Sequence, residues 1–425
     1  NEMKLHRHIV AFLTLMSFAS IAGQTFQMNQ KAYVPFDAST TVAVECPDSA
    51  AAPWLASHLK EWYGDYAPKV AAGVTGLAAE GDEGYAAKVD ANGVKIRANT
   101  FAGVKWASYT LRQLAIAKRG TMKTEGMILP TLSITDSPHL AFRAVHLCWF
   151  PETRPQQIER AIRLAALLKF NYAIVEPWGT YKSERHPWRC WPNAPMTKAE
   201  TSRLVALGKD LGITLIPQLN CYGHASFSRG SSSLKHSALD MHPEYAPLFE
   251  PDGWVWCISN PETQRVLREL IAEIHEDFGN PPYFHIGCDE ADGYDIGDAA
   301  LREEVCEFLN EGAEDLGRHG RRPIMWGDML IYNYPHYNKV NKYYCTAPSE
   351  ECEKDVFNKL DSRIVIADWQ YLPTEVPVET SLKIQSYGRD CLTCPFDFGV
   401  SKLAAAQNTV AEYGLIGFIH TTWHR

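Results

Sequence analysis

An excess of positive charge is the first thing this chain lacks: 41 Lys and Arg stand against 50 Asp and Glu, a formal net charge of −9 over 425 residues. That balance argues against nucleic acid or an anionic membrane surface as the partner and fits a neutral or small substrate better. A membrane-spanning run is lacking too. The apolar stretch Ile9 to Ile21 is too short and too early for a stable span. With Lys4 and Arg7 before it and Ser20, Ala22 and Gly23 around its end, it reads instead as a secretory signal peptide over residues 1–23. An exported protein starting near Gln24 is therefore expected, the other reading being a buried N-terminal helix. No internal repeat or low-complexity tract is visible, and nothing in the sequence sets an oligomeric state.

Paired cysteine motifs are scarce as well. Eleven cysteines is an odd number, so at least one thiol has no intramolecular partner. The single Cys391-x-x-Cys394 has no second pair and no flanking His, and it lies in a strand-like run, which argues against zinc and against a redox motif. Cys148, Cys221, Cys288 and Cys391 fall in or beside apolar strands, where a thiol behaves as a small hydrophobe. Neither a metal nor a cofactor is expected.

What the chain does have is a rhythm. Thr41 to Glu45 reads as a strand, Pro53 to Tyr63 as a helix, and Asn92-Gly93 as a hairpin turn followed by an amphipathic helix over Gly103 to Leu114. Past Pro138 the pattern becomes strand, helix, strand, helix, as parallel α/β architecture requires. Strands are expected at Phe142 to Cys148, Tyr172 to Glu176, Ile213 to Leu219, Tyr283 to Gly287, Arg322 to Trp326, Arg363 to Asp368, Asp390 to Cys394 and Leu415 to Thr421. The helix from Pro155 carries Ile158, Ala161, Ile162, Ala165 and Leu168 on one face. Thr197-x-x-Glu200 forms a capping box, and Asn260-Pro261 opens a further helix. Eight such strands favour a closed (β/α)8 TIM barrel over residues 138–425, preceded by a small α+β domain over residues 24–137.

Barrel chemistry sits at the C-terminal ends of the strands. Those ends carry Trp149, Glu176 with Trp178, Tyr222 with His224, Asp289 with Glu290, Trp326 with Asp328, Asp368 with Trp369, Asp397, and Trp423 with His424. Nine of the twelve tryptophans lie in this half, and their recurrence after successive strands suits stacking on pyranose rings while carboxylates and His bind hydroxyls. Asp289 and Glu290 are neighbours, and neighbours on a regular strand face opposite ways. Both serve one site only if the chain leaves the strand where they occur, and Gly287 permits that exit.

The stretch HIGCDE, His285 to Glu290, resembles the His-x-Gly-Gly-Asp-Glu signature of glycoside hydrolase family 20, the β-N-acetylhexosaminidases. FRAVHL resembles the family's first-strand motif, which implies that Arg143 grips ring hydroxyls. IPQLNCYGHA resembles its Pro-Glu-x-x-x-Pro-Gly-His segment and implies His224 beside the pocket. PIMWGDM is similar to the tryptophan-bearing fifth strand, and the residues before the barrel resemble the family's small domain. The resemblance implies a glycan substrate and a substrate-assisted mechanism, with Glu290 as acid/base and Asp289 holding the 2-acetamido group. It further implies binding roles for Glu176, His285, Trp326, Trp369, Asp397 and Trp423.

Three positions depart from the family's pattern. Strand two ends in Glu176-Pro177-Trp178 where the family has His-x-x-Asp-Asp, strand seven lacks the Tyr of Tyr-x-Asp, and Arg425 stands where an acid follows the last Trp. Tyr371 or Tyr387 is nominated to replace the missing Tyr. Two other readings stay open: a non-catalytic sugar-binding barrel, and a metal-dependent hydrolase or isomerase using Glu176, His224, His285 and Asp289.

Overall fold

The computed structural model describes residues 25–73, 81–119, 124–226, 238–291, 296–337, 343–396 and 399–423. The leader expected at residues 1–23, Asp397, His424 and Arg425 lie outside the described residues. The chain forms two compact units, one comprising residues up to His139 with Leu167–Lys169, the other Leu140–Ala166 with Phe170 onward.

The first unit is a mixed sheet of β1 (Thr25–Pro35), β2 (Thr41–Glu45), β3 (Lys69–Ala72), β4 (Tyr85–Asp90), β5 (Gly93–Ala98), β6 (Ile116–Arg119) and β7 (Thr124–Asp136). Its order is β1-β7-β4-β5-β2-β3, with β6 on β7. The Asn92-Gly93 turn closes the β4–β5 hairpin with Asp90 opposite Gly93. Gly93 sits at φ 119°, and a Cβ there would meet the Thr41 carbonyl at 2.7 Å, so only glycine suits the position. Helices α1 (Ala51–Tyr63) and α2 (Phe101–Leu114) each begin two residues earlier than their sequence patterns suggest.

In the second unit eight parallel strands follow one another: β8 (Phe142–Trp149), β9 (Tyr172–Pro177), β10 (Thr214–Pro217), β11 (Tyr283–His285), β12 (Arg322–Trp326), β13 (Val365–Trp369), β14 (Cys391–Cys394) and β15 (Gly417–His420). Their order, β10-β9-β8-β15-β14-β13-β12-β11, is that of a barrel. Closure comes where Gln218 faces His285, with Leu219 N donating to His285 O and Cys221 N to Ile286 O, each at 2.9 Å. Alternation along each strand sends one set of side chains inward: Phe142 and Ala144, Ile174, Ile216, Ile324 and Trp326, Val365, Ala367 and Trp369, Leu392 and Cys394, and Ile419 pack as a single core. Burying an aliphatic side chain of this kind stabilises the fold by roughly 1.5–3 kcal/mol.

The connecting helices follow their sequence signals. Pro155–Leu167 (α3) buries Ile158, Ile162 and Ala165, but it stops before Leu168, which is left 39% exposed. Lys198–Leu211 (α4) starts where the Thr197 hydroxyl accepts the Glu200 N–H at 3.2 Å. Pro261–Asp277 (α5) starts where the Asn260 side chain accepts the Glu262 N–H at 2.9 Å. Each such cap is worth about 1 kcal/mol. Helix α5 buries Val266, Leu267, Leu270 and Ile274 and delivers the chain to β11. Strands β10 and β11 are shorter than their apolar runs because both chains turn off toward the barrel mouth, and these turns build the site.

Candidate active site

The exit from β11 is a run of left-handed backbone. Gly287 has φ 66°, Cys288 φ 77° and Glu290 φ 47°. Gly287 is needed for conformation and for space, since a Cβ there would meet Asn220 Oδ1 at 2.2 Å. Cys288 and Glu290 have no such freedom. Each holds a conformation costing about 1–3 kcal/mol, strain of the kind that persists where surrounding contacts over-determine it. Those contacts are present. Glu290 N donates to Asp328 Oδ2 at 3.0 Å and Trp254 Nε1 donates to Glu290 O at 2.6 Å. The facing loop also presses close: a Cβ on Gly223 would fall 1.9 Å from the Asp289 carbonyl, and the next residue, His224, is itself left-handed at φ 56°.

This turn gives the two acids different surroundings. The Asp289 side chain is 6% exposed and that of Glu290 36% exposed. His224 Nε2 lies between them, 3.5 Å from Asp289 Oδ2 and 3.2 Å from Glu290 Oε2. Burial disfavours a charged His224, but Asp289 and the hydrogen bond that His224 donates to Glu290 outweigh it and push the imidazole up to about 9. Burial raises Asp289 above the usual carboxylate range, His224 opposes the rise, and the charges of Glu176 and Glu290 add to it. Asp289 Oδ1 has no partner among the described residues. The indoles of Trp254 and Trp178 pack on His224 at 4.2 and 5.5 Å.

Aromatic side chains from successive strand ends form the wall. Trp326 packs against His285 at 4.4 Å and Trp423 at 5.9 Å. Trp369 packs against Tyr371 at 5.2 Å and stacks on Tyr344 at 4.7 Å. Trp423 donates its Nε1–H to the Tyr371 hydroxyl. Asp328 ties wall to acid: its Oδ1 accepts from Trp369 Nε1 at 3.0 Å while its Oδ2 holds Glu290 N. Burial and the neighbouring Asp289 charge raise the Asp328 carboxyl well above its usual range.

Of the residues singled out in the sequence, the structure brings His224, Asp289, Glu290, Trp326, Trp369 and Trp423 together. Arg143 occupies the second position of β8, on the face opposite to Phe142 and Ala144, and is buried. Its Nη1 donates to the Leu140 carbonyl at 2.6 Å. Glu176 is on the inner face but is only 2% exposed, held by Asn220 Nδ2 at 2.8 Å and turned toward His146. His285 is fully buried, and its Nδ1 accepts the Gly287 N–H at 3.1 Å, so it braces the turn.

Tyr387 is excluded from the pocket role, since its hydroxyl is on Glu353 at 2.7 Å and its ring stacks on Phe357. Tyr371 stands in the tryptophan wall, within electrostatic reach of Asp289. Residues the sequence reading missed are Trp254, Asn220, His146 and Tyr344. Asn220 and His146 lie within quoted motifs and follow from inward alternation, whereas Trp254 arrives on a long loop after β10 with no periodic signal.

An eight-stranded parallel barrel with an acid pair at the end of its fourth strand and indoles around it belongs to the class of carbohydrate-processing barrels. The particular family is fixed by comparison with known proteins. Residues 24–137 match the model for glycosyl hydrolase family 20 domain 2, and residues 178–372 match that for the glycosyl hydrolase family 20 catalytic domain. The chain belongs to glycoside hydrolase family 20. It is 24% identical over 311 residues to a β-hexosaminidase of Vibrio furnissii, covering 61% of this chain and 48% of that one. It is 24% identical over 219 residues to a lacto-N-biosidase of Bifidobacterium bifidum, covering 49% and 18%. The chain thus spans about half the length, or less, of these curated relatives. Among solved structures, the β-N-acetylhexosaminidase of Streptomyces coelicolor superposes with a TM-score of 0.68 at 15% identity, over 95% of this chain and 85% of that one. The exo-β-N-acetylglucosaminidase of Vibrio harveyi gives 0.66 at 19% identity, over 95% and 68%.

Proposed function

We propose that this chain is an exo-acting β-N-acetylhexosaminidase that removes terminal β-linked GlcNAc or GalNAc from glycans with retention of configuration. The single observation that carries the reading is the turn after β11, which gives one carboxylate an open face and buries its neighbour beside it. Glu290 is the exposed member and serves as the acid that protonates the leaving glycosidic oxygen. The substrate's acetamido oxygen attacks the anomeric carbon as that bond breaks, forming a bicyclic oxazolinium-like intermediate. Asp289, with an unpaired oxygen, accepts the acetamido N–H and balances the developing positive charge. Glu290, now ionised, takes a proton from water, which opens the ring and releases the sugar. Family 20 is a known exception to the two-carboxylate covalent route.

Tyr371 is assigned to the acetamido carbonyl. Its support is its place between Trp369 and Trp423 and its proximity to Asp289. Burial raises its phenol well above the ordinary value, so it keeps its proton at neutral pH. Export of the chain, argued from residues 3 to 23, belongs to the same proposal and is tested by fractionating cells that express it.

A panel of chromogenic β-glycosides with and without a 2-acetamido group tests the activity. The expected result is hydrolysis confined to the N-acetyl sugars, with the β-anomer released first by proton NMR and inhibition by a thiazoline mimic of the intermediate. Efficient cleavage of plain β-glucosides without thiazoline inhibition would assign the barrel to a different glycosidic use, and binding with no turnover would make it a lectin.

A further inference from the structure

At the ends of β8 and β9, within electrostatic reach of His224 and Asp289, three residues of different chemistry meet, and the proposed hydrolysis uses none of them in a step. His146, Cys148 and Glu176 are all buried, and one ligating atom from each lies within 4.8 Å of the others. They come from adjacent strands: Cys148 pairs with Glu176 in the β8–β9 register, and His146 precedes Cys148 by two, so all three face inward.

The distances come near those around a shared cation. Three ligands of a tetrahedral zinc ion, bonded at about 2.0–2.3 Å, are held about 3.4–3.6 Å apart. Here Cys148 Sγ is 3.6 Å and His146 Nε2 3.0 Å from Glu176 Oε2, while Sγ meets the imidazole at 4.0 Å from Nδ1, so binding requires the ring to turn one nitrogen toward both partners. The second of these contacts is an imperfect hydrogen bond. Although 3.0 Å from the carboxylate, Nε2 is off the line that a hydrogen bond needs and is unsatisfied while fully buried. A nitrogen and an oxygen that do not point at each other can both point at a third atom between them. The other carboxylate oxygen, Glu176 Oε1, is fixed by Asn220 Nδ2 at 2.8 Å, the outer-shell support that orients a ligating carboxylate.

We infer that His146, Cys148 and Glu176 form a buried three-ligand site for a zinc-like divalent cation. Imidazole, thiolate and carboxylate together suit zinc and exclude calcium or magnesium, which take oxygen ligands. On binding, Cys148 loses its thiol proton to solvent and becomes the thiolate ligand, so affinity rises with pH. His146 also packs on Trp423 at 4.8 Å, so the bound cation fixes one member of the aromatic wall.

The test uses the full chain, stripped with chelator and titrated with Co²⁺ as a spectroscopic probe. One equivalent should bind and produce a thiolate-to-cobalt charge-transfer band with the visible bands of a four-coordinate ion, and Zn²⁺ should displace it. Cys148→Ser should abolish the charge-transfer band, which separates this thiol from the ten others. Glu176→Gln should weaken binding by more than the roughly 10- to 100-fold expected of Asn220→Ala, an outer-shell loss. Circular dichroism establishes that each variant is folded, and Glu176→Gln preserves the shape of the site if Cys148→Ser does not fold. An unchanged band in Cys148→Ser, or no band in the wild type, overturns the proposal and leaves the trio as a hydrogen-bonded cluster. Because the reading of the trio rests on no step of the hydrolysis, Glu290→Gln should keep the band while losing turnover, so the two assignments fail separately.

Discussion

The mouth of this barrel has two unlike halves. The ends of β10 to β13 carry His224, Asp289, Glu290, Trp326, Asp328, Trp369 and Tyr371, joined by the Asp328 and Trp254 hydrogen bonds. The ends of β8, β9 and β14 carry His146, Cys148, Glu176 and Cys394, a set poor in exposed acids. The catalytic-domain match, residues 178–372, takes in the first half and leaves out all three strands of the second. The contrast has a physical basis. Acid–base chemistry on an acetamido sugar needs a fixed geometry at one turn, which strain and clash confine to one solution.

The sharpest way to break the comparison is to remove the acid. Glu290→Gln should lower turnover by roughly 10² to 10⁴ on a glycoside with a poor leaving group and much less on an activated aryl glycoside, because only the former needs the proton. Equal losses on the two substrates would take Glu290 out of that role. Next in size is Tyr371→Phe. A donor to developing charge is worth about 2.7–4 kcal/mol, so kcat should fall roughly 10²- to 10³-fold, alongside a modest drop in unfolding midpoint because the Trp423 indole N–H loses its acceptor. Retained turnover would return the acetamido group to some other donor.

Legibility followed the same division. Alternating apolar strands and capped helices set the barrel, and the turn after β11 could be anticipated from Gly287 because two adjacent carboxylates cannot share a site on a straight strand. Arg143 was placed by resemblance, and the alternation that buries Phe142 and Ala144 inside the barrel sets it on the other face of β8. The same alternation makes His146 visible in retrospect. Trp254 was illegible for a different reason: it reaches Glu290 from a loop 36 residues away in sequence, and no periodicity reports a contact of that kind.

Titration offers a smaller effect that sharpens the comparison. The raised pKa of His224, about 9 against an ordinary 6.5, means the folded protein holds a proton the unfolded chain releases between those values. Its stabilising contribution is complete below about pH 6.5 and disappears as the pH rises through about 9, a loss of at most about 3 kcal/mol. Burial raises the Asp289 and Asp328 carboxyls to about 7 and about 8, so their loss of stability with rising pH has the same sign and overlaps that of His224. Urea unfolding at about pH 6 and about pH 9.5 should therefore show a wild type weaker at the higher pH, and His224→Gln should reduce the difference without abolishing it. An undiminished difference in that variant would place the proton elsewhere.

The smallest expected effect tests Arg143. Its replacement by methionine removes, among its contacts, the charged hydrogen bond to the Leu140 carbonyl, and such a bond is worth about 1.5 kcal/mol. A side chain facing away from the pocket has no means of changing substrate affinity except by loosening the strand. Arg143→Met should therefore lower the unfolding midpoint slightly and leave KM for an N-acetyl glycoside within about twofold, since less than 0.5 kcal/mol of binding is at stake. A KM raised tenfold or more at unchanged stability would mean that the guanidinium reaches the sugar after all, and the two halves of the mouth would then share the work of binding it.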